Sequence, residues 1–201
     1  RDRSPSRGLG DVYKRQAMIH SQDRSGWFGA SDTNRIMGQW HTKTFQAFWA
    51  EKLGLTKNNL HTVPMQAGTM YEHRILDALG VMTRDRQIKI PTLCLRVNLD
   101  GEDERIIHEV KTYRKEPFRI STAYWRQAQV EMYAANKPLE IDAYHLTEED
   151  YKNYFCPIDN ARITRHFVAY DDAFIEKEYL PRLSYLAECL KICLLYTSDA
   201  A

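Results

Sequence analysis

The stretch from residue 95 to 113, LRVNLDGEDERIIHEVKTY, constrains this chain more than any other. Val97 and Leu99 alternate with Arg96, Asn98 and Asp100, the period of a half-buried strand. Gly101-Glu102-Asp103-Glu104 is turn material, and Ile106 to Tyr113 is rich in β-branched residues and alternates again. The pattern predicts a β-hairpin. Glu109 and Lys111 then share one face, and Asp100 lies near the turn end of the partner strand. Carboxylates held that close repel, so one protonates unless a cation joins them. Two carboxylates, a backbone carbonyl and waters are donors that suit Mg²⁺ or Mn²⁺. A Glu-x-Lys pair alone is more often a solvated strand face, so the flanking sequence has to decide.

The flanks supply helices. Thr44–Leu53 is amphipathic around Phe45, Phe48 and Trp49 and is closed by Gly54. Ala67–Leu79, stopped by Gly80, places Glu72 at helical spacing with Gly68, Ile75, Leu76 and Leu79. A carboxylate on an apolar stripe is costly unless it is paired, bound to metal or able to snorkel out. Ser121 or Thr122 caps a helix reaching about Ala135, on which Trp125, Gln129 and Tyr133 share a face. A glutamine between two aromatics suits a site edge, whereas Gln127 lies about 200° round the helix from it. Strands are predicted at 86–91, 140–146 and 162–170, and a last helix over 173–190, capped by Asp171 or Asp172. Upstream, Ser31 reads as an N-cap, with Asp32 in the first turn and Arg24 close by in sequence. A helix start with a hydroxyl and an arginine can hold a phosphate, although a plain capped helix explains the same residues.

Several function classes are excluded. There is no G-x-x-x-x-G-K-[ST], no G-x-S-x-G and no Cys/His spacing of a zinc finger. Cys94, Cys156, Cys189 and Cys193 form no C-x-x-C pair and read as thiols of a reducing cytoplasm. The formal net charge is +1; residues 1–16 carry a net +3 and the last nine a net −1, so the remainder is −1. A partner with a phosphate backbone would have to be met by a local basic groove. Residues 1–16 and 193–201 read as adapter-like tails, which leaves one domain over 17–192.

Taken in order, Glu72, Asp100, Glu109-Val110-Lys111 and Gln129-x-x-x-Tyr133 resemble the PD-(D/E)xK nuclease superfamily. Spacing, the Ala67-Gly68-Thr69 motif, and Arg24 seven residues before Ser31 are similar to its YqaJ / lambda-exonuclease branch. Leu99 stands where the motif's proline often lies, and Asn98 where some relatives carry a serine. The resemblance implies an α/β (α+β) restriction-endonuclease-like core, a mixed central sheet flanked by helices. It implies Mg²⁺ (or Mn²⁺) held by Asp100, Glu109, the Val110 carbonyl and Glu72. Lys111 and Gln129 would act on the attacking water, and Arg24 and Ser31 on a 5′-phosphate. The implied activity is 5′→3′ exonuclease cleavage of linear double-stranded DNA in phage-type recombination. Partners implied are DNA ends, a single-strand annealing protein and further copies of the chain in a trimer. A RecB-like or CRISPR-associated nuclease without an iron–sulfur cluster, and a catalytically silent DNA-binding or assembly module, are the alternatives.

Overall fold

The computed structural model describes residues 24–56 and 63–198. The first expected tail, 1–16, lies outside the described residues. A five-stranded sheet runs in chain order: β1 (Thr83–Ile90), β2 (Leu95–Glu102), β3 (Ile107–Tyr113), β4 (Leu139–His145) and β5 (Ile163–Val168). The helices are α1 (Thr33–Ile36), α2 (Lys43–Lys52), α3 (Val63–Leu79), α4 (Thr122–Ala135), α5 (Glu148–Lys152) and α6 (Leu180–Ser198). A 3₁₀ turn, Ala30–Asp32, leads into α1, and a π-helical turn, Phe174–Tyr179, leads into α6. The sheet is mixed. β1–β2, β2–β3 and β4–β5 are antiparallel, while β3 and β4 are parallel and joined through α4. This is the expected α/β core with helices on both faces. No helix among the described residues is long and apolar enough to cross a membrane.

Strand alternation sorts the sheet into two cores. Leu95, Val97, Leu99, Ile107, Leu139 and Ile141 face α4 and α6, where Ala128, Met132, Leu183 and Leu186 meet them. Val110 and Tyr144 point the other way, onto Ala67, Tyr71, Ile75 and Leu76 of α3. The helix ends follow local chemistry. The Ser121 hydroxyl accepts the Tyr124 N–H at 3.2 Å, and the Asp171 carboxylate accepts the Phe174 N–H at 2.9 Å. Gly80, at φ +74°, takes the left-handed turn that closes α3. The last helix runs past its expected end to Ser198, with Leu194 packed on the core.

The hairpin departs from expectation in one respect. β2 and β3 pair at two positions only, Gly101 with His108 and Glu102 with Ile107. Beyond that point the strands part. A strand has two edges, and β1 covers one edge of β2 along most of its length. On the other, the Phe28 segment replaces β3: Phe28 N–H donates to the Cys94 carbonyl at 2.7 Å, and Arg96 N–H to the Phe28 carbonyl at 2.8 Å.

Candidate active site

The parting of β2 and β3 opens a cleft of ≈550 Å³ between α3 on one side and α4 on the other. At its apex a carboxylate takes over a ladder bond, as Asp100 Oδ2 accepts the Val110 N–H at 2.9 Å. The β1–β2 ladder is interrupted opposite. Asp85, which would face Asp100, is left-handed at φ 54° and is missing from the register. Aspartate tolerates that conformation better than most residues. Its carboxylate lies 3.7 Å from His73 Nε2 on α3, which spares the two aspartates a directly opposed placement.

Glu109 and Lys111 extend from β3 on one face, as the alternation requires, and form an ion pair. Gln127, from the second turn of α4, donates to Glu109 Oε1 at 2.6 Å and to Glu131 Oε1 at 2.8 Å. The Lys111 ammonium lies 3.5 Å from Gln127 Oε1 and 5.1 Å from the Tyr124 ring centroid. Glu72 enters from α3 and lines the same cleft. The structure thus brings together Glu72, Asp100, Glu109, Val110 and Lys111, all named from the sequence.

Negative charge is crowded in the cleft. Burial, and then the charges of Glu109 and Asp85, push the Glu72 carboxyl up to about 7. Burial and the neighbouring Glu109 and Glu72 push Asp100 well above the usual carboxylate range. Burial and Glu109 do the same to Glu131. Burial opposes the charge on Lys111, but Glu109 and Asp100 outweigh it and raise its pKa. Four carboxylates therefore share one lysine. Glu109 Oε2 and Glu131 Oε2 are buried without a hydrogen-bond partner. An all-oxygen, over-negative donor set with orphaned oxygens fits a hard divalent ion. Glu109 is turned onto Lys111 and Gln127. Among the described residues, three ligand atoms come within 4.8 Å of one another at Glu72, His73 and Asp85, and at His108, Glu140 and Asp142.

Two expectations are corrected. Gln129 does not reach the cleft. It is fully buried, donating to the Ala169 carbonyl at 2.8 Å and accepting the Asp171 N–H at 2.7 Å. The face it shares with Trp125 packs on the C-terminal segment, where Trp125 meets the Phe174 ring at 4.8 Å. Gln127 and Glu131, one turn apart on another face, look into the cleft instead. Ser31 is not an N-cap. It lies inside the 3₁₀ turn, and the Asp32 carboxylate accepts the Gly29 N–H at 2.8 Å. The same carboxylate binds the buried Lys52 ammonium at 2.6 Å. Arg24 and Ser31 do share a wall of the cleft, together with Lys52 and Arg96. The helical segment behind Ser31 is too short to present a sizeable dipole. The sequence does not single out Glu131 and Lys52, because each is an ordinary charged residue on a helix until the tertiary fold buries it.

No family model and no curated protein matches the sequence. Solved structures do. The alkaline exonuclease LHK-Exo from Laribacter hongkongensis is similar at 20% identity and a TM-score of 0.64, over 88% of this chain and 94% of that one. A phage-related exonuclease from Haemophilus somnus 129PT is similar at 13% identity and a TM-score of 0.60, over 87% and 96%. What the chain shares with these two exonucleases is the fold.

Proposed function

We propose that this chain is a divalent-metal-dependent deoxyribonuclease of the PD-(D/E)xK type, acting 5′→3′ on linear duplex DNA. The observation that carries the reading is the gathering of Glu72, Asp100, Glu109 and Lys111 where β2 and β3 part, in a fold shared with two exonucleases. Asp100, Glu109, the Val110 carbonyl and Glu72 would hold Mg²⁺ or Mn²⁺. Such an ion supplies charge neutralisation at the scissile phosphate and lowers the pKa of a bound water. Lys111, kept cationic by Glu109 and Asp100, orients the attacking water and offsets charge as the phosphate becomes more negative. Gln127 fixes Glu109 and Glu131 against each other and so sets where Lys111 points. Arg24 and Ser31 line the wall on which a terminal 5′-phosphate would rest. Phage-type recombination, a single-strand annealing partner and a ring of three copies belong to the same reading.

The test is digestion of matched linear duplexes with 5′-phosphate or 5′-hydroxyl ends, beside closed circles, with and without Mg²⁺. Linear phosphorylated duplex should be degraded, and circles spared. Asp100→Asn should abolish cleavage, and Lys111→Ala should slow it by about 10²–10⁴-fold. Arg24→Ala should narrow the preference for phosphorylated ends without weakening all substrates equally. Efficient cutting of circles would remove the exonuclease assignment. Cleavage by Asp100→Asn would remove Asp100 from the metal site, and no Mg²⁺-dependent cleavage by the wild type would remove the nuclease assignment itself.

A further inference from the structure

His108 precedes Glu109 on β3, so its side chain points to the opposite face of the strand. There it meets two carboxylates of β4. His108 Nδ1 lies 2.8 Å from Asp142 Oδ2 and 3.3 Å from Glu140 Oε1. The other ring nitrogen, Nε2, faces Asp103 Oδ2 at 3.6 Å. Asp103 is set for that role. Its Oδ1 accepts the N–H groups of Arg105 and Ile106 at 2.7 and 2.8 Å, which pins the turn and holds the carboxyl below its usual range.

This group is poorly balanced for a set of side chains so deeply placed. Asp142 is fully buried and His108 nearly so. Asp142 Oδ1 and His108 Nε2 are both buried without a hydrogen bond. The cation facing both carboxylates is Arg165, on a half-exposed side chain, with its Nε 3.7 Å from Asp142 Oδ1 and its Nη1 3.5 Å from Glu140 Oε1. Buried polar atoms are rarely left unsatisfied without a reason.

We propose that His108, Glu140 and Asp142 form a second cation site, for a divalent ion that takes mixed nitrogen and oxygen ligands, Zn²⁺ foremost. The three ligand atoms lie within 4.8 Å of one another. Tetrahedral ligands at ~2.0–2.1 Å from zinc are roughly 3.3 Å apart, close to the separations found here. An imidazole that binds metal through one nitrogen commonly gives its other N–H to a carboxylate, the place Asp103 holds. The ion would tie β3 to β4 one residue before Glu109. It differs in chemistry from the ligand set proposed for the cleft, since Asp100, Glu109, Glu72 and the Val110 carbonyl offer only oxygens, which suit Mg²⁺ or Mn²⁺.

The experiment is titration of the purified full chain with Zn²⁺ and with Co²⁺, read by melting temperature and by visible Co²⁺ absorption. The titration is run in excess Mg²⁺, to occupy the cleft, whose carboxylates would otherwise take up Co²⁺ and Zn²⁺ as well. Under those conditions the wild type should bind Co²⁺ with the spectrum of a nitrogen-containing site. At a hundredfold excess of Zn²⁺ over Kd, Tm should rise by about 5–10 °C. Glu140→Gln and Asp142→Asn should weaken this binding by at least about 10–100-fold, the loss that even an outer-shell carboxylate brings when it is removed. Glu140→Gln keeps the test decisive should Asp142→Asn fold poorly. No Tm rise in wild type, or an equal rise in Glu140→Gln, would overturn the site and leave protonated His108 and Arg165 as the counter-charges. None of these readouts depends on nuclease activity, so their failure would leave the nuclease reading untouched.

Discussion

At the scale of single residues, the two glutamines of α4 separate what the sequence discloses from what it withholds. Helical spacing places Trp125, Gln129 and Tyr133 on one face, and they do share it. Spacing cannot say which face looks into a cleft, because that depends on elements far away in the chain. Here the C-terminal segment claims Gln129 through the backbone of Ala169 and Asp171, and Gln127 is left facing Glu109. The two should fail differently. Gln127→Ala should lower turnover of the folded protein by about 10–100-fold, beyond any loss of stability, as its contacts to Glu109 and Glu131 are lost. Gln129→Ala should cost about 1–3 kcal/mol by leaving two backbone groups unpaired, with turnover of the folded protein near wild type. Paired denaturation curves and initial rates check this, and the reverse pattern would return Gln129 to the active site. Asp100, Glu109 and Lys111 were legible because strand alternation is local and the hairpin turn is short.

At the scale of elements, the predicted hairpin formed but its opening was hidden. The parting of β2 from β3 depends on Phe28 taking the vacated edge, and α1, α2, α3 and β1 intervene between the two in sequence. The short helix α5 lies outside the predicted elements although its signal is local, a capping box between Thr147 and Asp150. Gly101 sets how closely α3 approaches the last paired rung. A Cβ there would meet Leu76 Cδ2 at 2.8 Å and Val81 Cγ1 at 2.9 Å. Gly101→Ala should therefore cost about 1–3 kcal/mol by overpacking. It should also raise the Mg²⁺ concentration needed for half-maximal rate, since Glu72 rides on α3 and Asp100 adjoins Gly101. A melting temperature within 1 °C of wild type, with unchanged Mg²⁺ dependence, would show that the α3–β2 contact yields easily; such a shift is below about 0.5 kcal/mol for a chain of this size.

At the scale of the whole molecule, the mixed sheet with helices on both faces follows the expected class, and the modest net charge conceals a strongly uneven distribution. Glu72, Asp100 and Glu131 hold their protons more tightly in the folded chain than ordinary carboxyls do. Raised carboxyls favour the folded state at low pH, and that advantage is lost as pH rises through the folded value. The unfolded chain releases these protons near pH 4–4.5, and folded Glu72 releases its own near 7. His108, also raised, through its hydrogen bond to Asp142, acts in the same direction. In chelator, the melting temperature should therefore fall as pH rises from about 5 to 8. Excess Mg²⁺ should flatten the slope, and so should Glu72→Gln without metal. A metal-free melting temperature that climbs over this range would contradict the electrostatic account of the cleft.

The bond from Val110 N–H to Asp100 Oδ2 bears on how a substrate complex is best captured. Alanine at this position would remove the carboxylate proposed to bind metal and also strand a backbone donor inside the sheet, at about 1–3 kcal/mol. Asparagine keeps an acceptor oxygen of the same reach and discards only the charge. An Asp100→Asn chain should retain the wild-type strand opening while being unable to turn over DNA. That makes it the form in which a duplex end can be held still long enough to be seen.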